Sequence, residues 1–200
     1  KDIHYNIVNT RIRTYEEQLL SEIVYERMLT AASAEDVFGL LQDTLYGDFI
    51  DEQMEVHEFE QVLLAEQKRM YETLYAISPD RLVIDLFTLK YDYQNLKVLV
   101  KEIYTQEDLS ALLLPFGSVA LAELRELVVQ RRNQTLHPQM NACITEVFQY
   151  MEDYQTHQSM DIIFDNHYWQ HMHQISKGET RGEIDIMVKR NIDIFNISTI

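Results

Sequence analysis

The chain has 200 residues, of which 46% are hydrophobic and 25% charged, the composition of a globular protein with enough material for a real core and not of a disordered one. A formal net charge of −16 argues against nucleic acid as a partner, since phosphates need clustered Lys and Arg, and an anionic membrane surface would repel the chain on average. Only five glycines and three prolines punctuate it, which favours long helices over many short strands.

Thr14 stands three residues before Glu17 in the pattern of a capping box. Leu19, Leu20, Ile23, Val24 and Met28 follow at the spacing of one helix face, so a helix is predicted to open there. Ser33 before Asp36 opens a shorter helix carrying Val37, Leu40, Leu41 and Thr44, and Gly47 is placed to end it. A long helix is predicted from Asp51 to Ile77, with Phe59, Val62, Leu63, Met70, Leu74 and Ile77 on its apolar side. Ser78-Pro79 reads as a stop and restart, because Ser caps helices and Pro suits a first helical turn. The next helix carries Leu82, Val83, Leu86, Phe87, Leu96 and Leu99. Pro115 with Gly117 marks one break and Pro138 another. Helices are predicted at Val119–Arg131, Pro138–Gln155 and Asp161–Ser176, and a last one begins near Thr180, where Thr180 and Glu183 form another capping box. Val128-Val129 and Ile162-Ile163 are too short for strands, so the predicted class is all-α with short connections.

Cys143 is the only cysteine. No internal disulfide can form, in keeping with a reducing compartment. No apolar run is long enough to span a bilayer, and Lys1 to Asn9 lack the apolar core of a signal peptide, so a cytoplasmic location is expected. The first residue is not Met, which suggests a trimmed start. The sequons Asn133-Gln134-Thr135 and Asn196-Ile197-Ser198 mean nothing in that compartment.

An internal repeat is the most informative feature. Val83 to Leu99 and Ile184 to Ile200 align residue on residue, with Asp92 on Asp193, Asn95 on Asn196, Leu86 on Met187, Leu96 on Ile197 and Leu99 on Ile200. The shared element is Asp-x-x-Asn followed at once by an aliphatic residue and by another three positions on. A looser copy runs from Asn6 to Ile12, where Asn6 takes the Asp position, Asn9 the Asn position, and Thr10 replaces the first aliphatic. Arg11 and Lys97 stand two positions after Asn9 and Asn95, whereas Ser198 breaks that pattern. Asp and Asn three apart lie one helical turn from each other on the same side. If buried beside a packing seam they must be hydrogen-bonded, and they could then tie one repeat to the next. Solvated side chains would give the same pattern.

Catalytic and metal chemistry is thinly represented. Gly39, Gly47, Gly117, Gly178 and Gly182 are never in phosphate-loop or dinucleotide spacing. His57-Glu58 begins like a zinc-protease motif, but Gln61 stands where the second ligand belongs. No Glu precedes a His by three, no serine sits in a nucleophile elbow, and Cys143 has the surroundings of an inert buried thiol. The best metal candidates are His167, His171 and His173 beside Asp161 and Asp165. At about 100° per residue only His167 and His171 share a face, too few for a site that needs three or four convergent ligands. A partly exposed helix with Phe164, Tyr168 and Met172 turned inward explains the segment as well. Glu52, Glu55, Glu58 and Glu60 read as a solvated acidic face. No catalytic, cofactor-binding or metal-binding residue is assigned.

Several stretches resemble a known family. They are YNIVNTRIRTYEEQLLS (5–21), LLQDTLYGDF (40–49), LKYDYQNLKVLVK (89–101), MDIIFDNHYWQHM (160–172) and IDIMVKRNIDIFNIST (184–199). Their order and spacing are similar to those of the C subunit of V-type and A-type rotary ATPases, known as the d subunit in the eukaryotic vacuolar enzyme, along essentially the whole chain. The resemblance implies a three-fold pseudo-symmetric helical funnel that sits on the membrane proteolipid ring, receives the tip of the central shaft and carries torque between them. ATP hydrolysis and proton or sodium passage then belong to other subunits. It implies the shaft subunits and the proteolipid ring as partners, no cofactor, and a location peripheral to the membrane through the complex. Acidic surface would suit basic loops of the ring.

On this reading the chain is one helical domain of repeated units, approximately 1–77, 78–179 and an incomplete 180–200. Asp92, Asn95, Asp193, Asn196, Asn9 and Arg11 are its expected junction residues. Because the family usually continues past the third motif, most of the third unit is expected to be missing. The helix after Thr180 is then expected to leave Ile184, Met187 and Ile194 exposed. Two other classes stay open: a helical adaptor that binds a peptide or protein on a concave face, and a helical enzyme, which would need a pocket with strongly shifted acid or base groups.

Overall fold

A computed structural model of the chain describes residues 2–51, 53–154, 156, 159–177 and 182–198. Among the described residues all regular structure is helical, and the all-α class predicted from periodicity holds. The fold divides into two compact units, Lys1–Arg81 and Leu82–Ile200.

The first unit holds α1 (Asp2–Glu16), α2 (Glu22–Thr30), α3 (Ala34–Leu41) and α4 (Phe59–Ile77), with 3-10 turns at Leu45–Phe49 and Val56–Glu58. Its helix starts differ from expectation in two places. Thr14 does not open a helix: it lies in the last stretch of α1, where its hydroxyl donates to the Thr10 carbonyl at 3.2 Å. The next start belongs to Ser21, whose Oγ accepts from Val24 N at 3.4 Å. A Thr-x-x-Glu spacing cannot say whether the residues before it are already helical, and here residues 6–13 are. The long helix begins at Phe59 rather than Asp51. Asp51 caps its own turn, accepting from Gln53 N at 2.8 Å, and the capping box is Glu55 with Glu58, whose Oε2 accepts from Glu55 N at 3.0 Å.

The Ser33 cap is as predicted, its Oγ accepting from Asp36 N at 3.1 Å. The helix it opens ends at Leu41 with Gln42 as its C-cap, five residues short of Gly47. Gly47 sits inside the next 3-10 turn, where an added Cβ would collide with the Gln42 backbone carbonyl. The glycine is there for clearance, not for helix termination. Ile77 ends α4, with Ser78 N donating to the Leu74 carbonyl at 2.9 Å, but Pro79 stands outside α5 rather than in its first turn.

The second unit holds α5 (Arg81–Thr105), α6 (Leu121–Gln130), α7 (Pro138–Tyr154), α8 (Met160–Ser176) and α9 (Gly182–Ser198). Pro138 opens α7, the position that its missing N–H suits. The capping box expected at Thr180 and Glu183 lies partly outside the described residues, as does Ile200. The core is built on α5, where Leu89, Leu96, Leu99 and Val100 are almost fully buried against Leu124 and Leu127 of α6, Cys143 and Ile144 of α7 and Phe164 of α8. Each large side chain buried this way contributes roughly 1.5–3 kcal/mol. α5 runs 25 residues, about 37 Å at 1.5 Å per residue.

α9 joins this core by one face. Val188 is fully buried, and Ile184, Met187 and Ile192 are half-buried against the cluster, so the expected exposure of Ile184 and Met187 is only partial. The other face is open, with Ile194 at 64% and Ile197 at 72% exposure.

Candidate functional site

Asp92 and Asn95 lie on the inner side of α5, one turn apart, with relative exposures of 0% and 1%. They hold the connection that follows the helix. Asn95 grips Leu114 at both backbone groups: Nδ2 donates to the carbonyl at 2.9 Å and Oδ1 accepts from the amide at 2.8 Å. The Asp92 carboxylate receives three donors. Oδ2 accepts from Ser118 N at 3.0 Å and from Ser118 Oγ at 2.5 Å, and Oδ1 accepts from Val119 N at 3.1 Å. Gly117 passes so close that a Cβ there would collide with the Asp92 carboxylate. The break signal at Pro115 and Gly117 therefore marks a turn bound to a helix.

A buried carboxylate is tolerated when every oxygen is hydrogen-bonded. The desolvation is still felt. Burial pushes the Asp92 carboxyl up to about 6, against the lowering effect of its Ser118 and Val119 donors.

A second polar cluster lies where α8 meets α7. α8 is a partly exposed helix with Phe164 and Met172 buried and Tyr168 half-buried, as expected, and His167 and His171 are buried on the same side. His167 Nδ1 is 2.7 Å from Gln139 Nε2, and its Nε2 is 2.8 Å from Glu146 Oε2. The amide donates to Nδ1, so the ring proton sits on Nε2 and is given to the carboxylate. Gln139 also donates to Gln170 at 2.8 Å and accepts from Gln174 at 3.1 Å. His171 stacks on His137 with centroids 3.8 Å apart, and its Nδ1 lies 3.2 Å from the Tyr93 hydroxyl. Burial, with the neighbouring His137, lowers His171 to about 3, so the ring is neutral at ordinary pH. Burial raises the Tyr93 phenol.

These contacts account for the histidines. Among the described residues no group of three or more His, Cys, Asp or Glu side chains is placed to hold a metal. His173 faces Asp185 at 3.7 Å, away from the other two. Asp165 and Asp161 instead bracket Lys97 at 2.8 and 3.4 Å, tying α8 to α5. Cys143 is buried, and desolvation pushes its thiol up, which makes it a poor nucleophile.

The other members of the repeat sit differently. Asp193, Asn196, Asn9 and Arg11 are exposed. The face that α9 packs inward, through Ile184, Val188 and Ile192, corresponds by alignment to Val83, Phe87 and Tyr91 of α5, which are half-buried or exposed. Apart from Met187, which packs inward as its buried counterpart Leu86 does, the two aligned helices thus bury different faces.

Comparison with known proteins gives this arrangement a context. A family profile described as the ATP synthase (C/AC39) subunit matches residues 8–200. The C subunit of the V-type sodium ATPase of Enterococcus hirae is 27% identical over 199 residues, covering 98% of this chain and 60% of that protein. The C subunit of the A-type ATP synthase of Methanocaldococcus jannaschii is 32% identical over 134 residues, or 62% of this chain and 33% of that protein. The chain therefore spans less than two thirds of the length of both relatives. No solved structure matches it at a significant level. With the profile covering nearly every residue and both relatives bearing the same C-subunit name, the chain belongs to the ATP synthase (C/AC39) subunit family of V-type and A-type ATPases.

Proposed function

We propose that the chain is a non-catalytic coupling subunit of the central stalk. It links the rotary shaft to the membrane proteolipid ring and transmits torque between them, peripheral to the membrane through the complex. The observation that carries this reading is the family match over residues 8–200. The internal construction supports it. A torque-bearing part needs stiffness, and α5 is cross-linked to its own following turn by Asp92 and Asn95 and to α8 by Lys97 and Tyr93.

Asp92 and Asn95 are junction residues in this proposal; Asp193, Asn196, Asn9 and Arg11, which are exposed, would act as junction residues only where a further segment packs on them. On α9 the Asp-x-x-Asn face is exposed beside Ile194 and Ile197. It would receive a glycine-bearing turn, as Asp92 and Asn95 receive residues 114–119. The test is co-purification with the shaft subunits and the detergent-solubilised proteolipid ring. Stoichiometric capture of both is expected. Capture of neither by folded protein would overturn the coupling role and favour a helical adaptor.

A further inference from the structure

The first unit contains a groove apart from the Asp92 and Asn95 contacts and the histidine cluster of the second unit. It encloses about 800 Å³. Leu63, Met70 and Leu74, with the polar Gln67 between them, line it along α4 at the spacing i, i+7, i+11, a stripe of three helical turns and about 16 Å. Ile12 and Leu19 face it from α1 and the turn that follows. Leu19 is 69% exposed, and Leu63 and Met70 are each 41% exposed. An apolar stripe of this length and spacing is the complement of another helix, whose ridge of side chains fills the gap.

The charge around the groove says which kind of helix. Among the described residues that line it, the carboxylates are Glu16 and Glu66 and the cation is Arg69. Arg69 is already engaged, 2.6 Å from Asp48 on one side and 2.6 Å from Glu66 on the other. The unit around it holds 17 of the chain's 33 acidic residues and 7 of its 17 basic ones. Glu66 is held by the same Arg69, which leaves Glu16, among the described lining residues, as the carboxylate without a cation beside it in that groove, in a unit of net negative charge. An acidic helix would be repelled there and a basic one favoured.

We infer that the groove between α1 and α4 is a docking site for an amphipathic helix with a leucine-like apolar face and a basic flank, contributed by a protein partner. The inference stands on the groove's own chemistry and does not require the coupling role. Failure to capture the ring or shaft would leave it intact, and its own failure would leave the coupling role intact.

A fluorescent helical peptide of leucine and lysine, about 14 residues long to cover the three-turn stripe, serves as the probe. A leucine and glutamate peptide of identical apolar face is its counterpart. Binding is read by anisotropy at physiological salt. The lysine peptide should bind saturably and at least tenfold more tightly than the glutamate peptide. Leu63→Gln with Met70→Gln, which leaves every charge in place, should weaken it at least tenfold without lowering the melting temperature. Glu16→Gln should weaken it severalfold. Equal binding of both peptides, no binding, or undiminished binding to the Leu63→Gln/Met70→Gln protein would overturn the proposal, the last showing attraction by net charge alone. A dimer by light scattering that the double substitution abolishes would also overturn it, by giving the groove to a second copy of the chain.

Discussion

Replacing Asn95 by Ala removes two hydrogen bonds and leaves both backbone groups of Leu114 facing an apolar side chain. Each bond is worth about 1 kcal/mol net, and a buried group left without a partner costs about 1–3 kcal/mol. Leu114 is half-buried, so water reaches part of the gap and each group falls toward the lower end of that range. The sum is about 2–4 kcal/mol. With a urea dependence of about 2 kcal/mol per molar, the unfolding midpoint of the second unit should drop by about 1–2 M. Trp169 is the only tryptophan and lies on α8, so its fluorescence reports on this unit. Asn95→Asp is the matched control. It keeps an acceptor for the Leu114 amide but sets a carboxylate oxygen against the Leu114 carbonyl, and at about pH 7 it should destabilise at least as much as Ala. An Asn95→Ala midpoint within about 0.3 M of the parent, by this fluorescence signal, would refute the claim that Asn95 holds the turn.

Gly117→Ala should cost about 1–3 kcal/mol by overpacking against the Asp92 carboxylate, again measured in urea; an unchanged midpoint would mean that the turn is free to move away. Two buried groups give opposite pH dependences. Asp92 titrates at about 6 when folded against 3.8 for an ordinary Asp, so its ionisation costs stability above about pH 6 and that cost fades as the pH falls toward about 4. His171 titrates at about 3 against 6.5, so its contribution is complete only below about pH 3 as a penalty and absent above about pH 6.5: the buried neutral ring loses ground steadily as the unfolded ring takes up its proton. Between about pH 7 and 4.5 these come to a gain of about 2 and a loss of about 2.5 kcal/mol. Stability compared at the two pH values should therefore show Asp92→Asn steepening the acid loss and His171→Gln relieving it, and a parental pH slope in either variant would contradict the assignment. Cys143 should resist a thiol-reactive disulfide reagent in native buffer and react fully in denaturing urea; rapid native labelling would contradict its burial.

The second unit was the more legible part of the sequence. Helical apolar spacing and well-placed breakers at Pro115 and Pro138 put α6, α7 and α8 within about two residues of their observed ends. Caps were less reliable guides in the first unit, because Ser, Thr, Asp and Glu bond to nearby backbone in several ways. Thr14 bonds backward inside α1, and Glu55, not Asp51, marks the approach to α4. The Asp92 and Asn95 pair stood out by repetition, but the turn it holds is 19 to 27 residues downstream. Only Gly117 hinted at so close an approach. The histidine cluster was not legible. Gln139, Glu146 and Tyr93 come from two other helices, and no local spacing announces that His167 and His171 will turn inward to meet them. The acidic groove residues Glu16 and Glu66 are 50 positions apart and read singly as solvated charge.

The coupling role is tested most directly by ATP-driven ion uptake into vesicles carrying the rotary complex, assembled with and without this protein in its natural full length. Without it, the account predicts that ATP hydrolysis by the soluble head persists while ion uptake falls to the leak rate, and that adding the protein back restores uptake. Undiminished uptake in its absence would contradict the account.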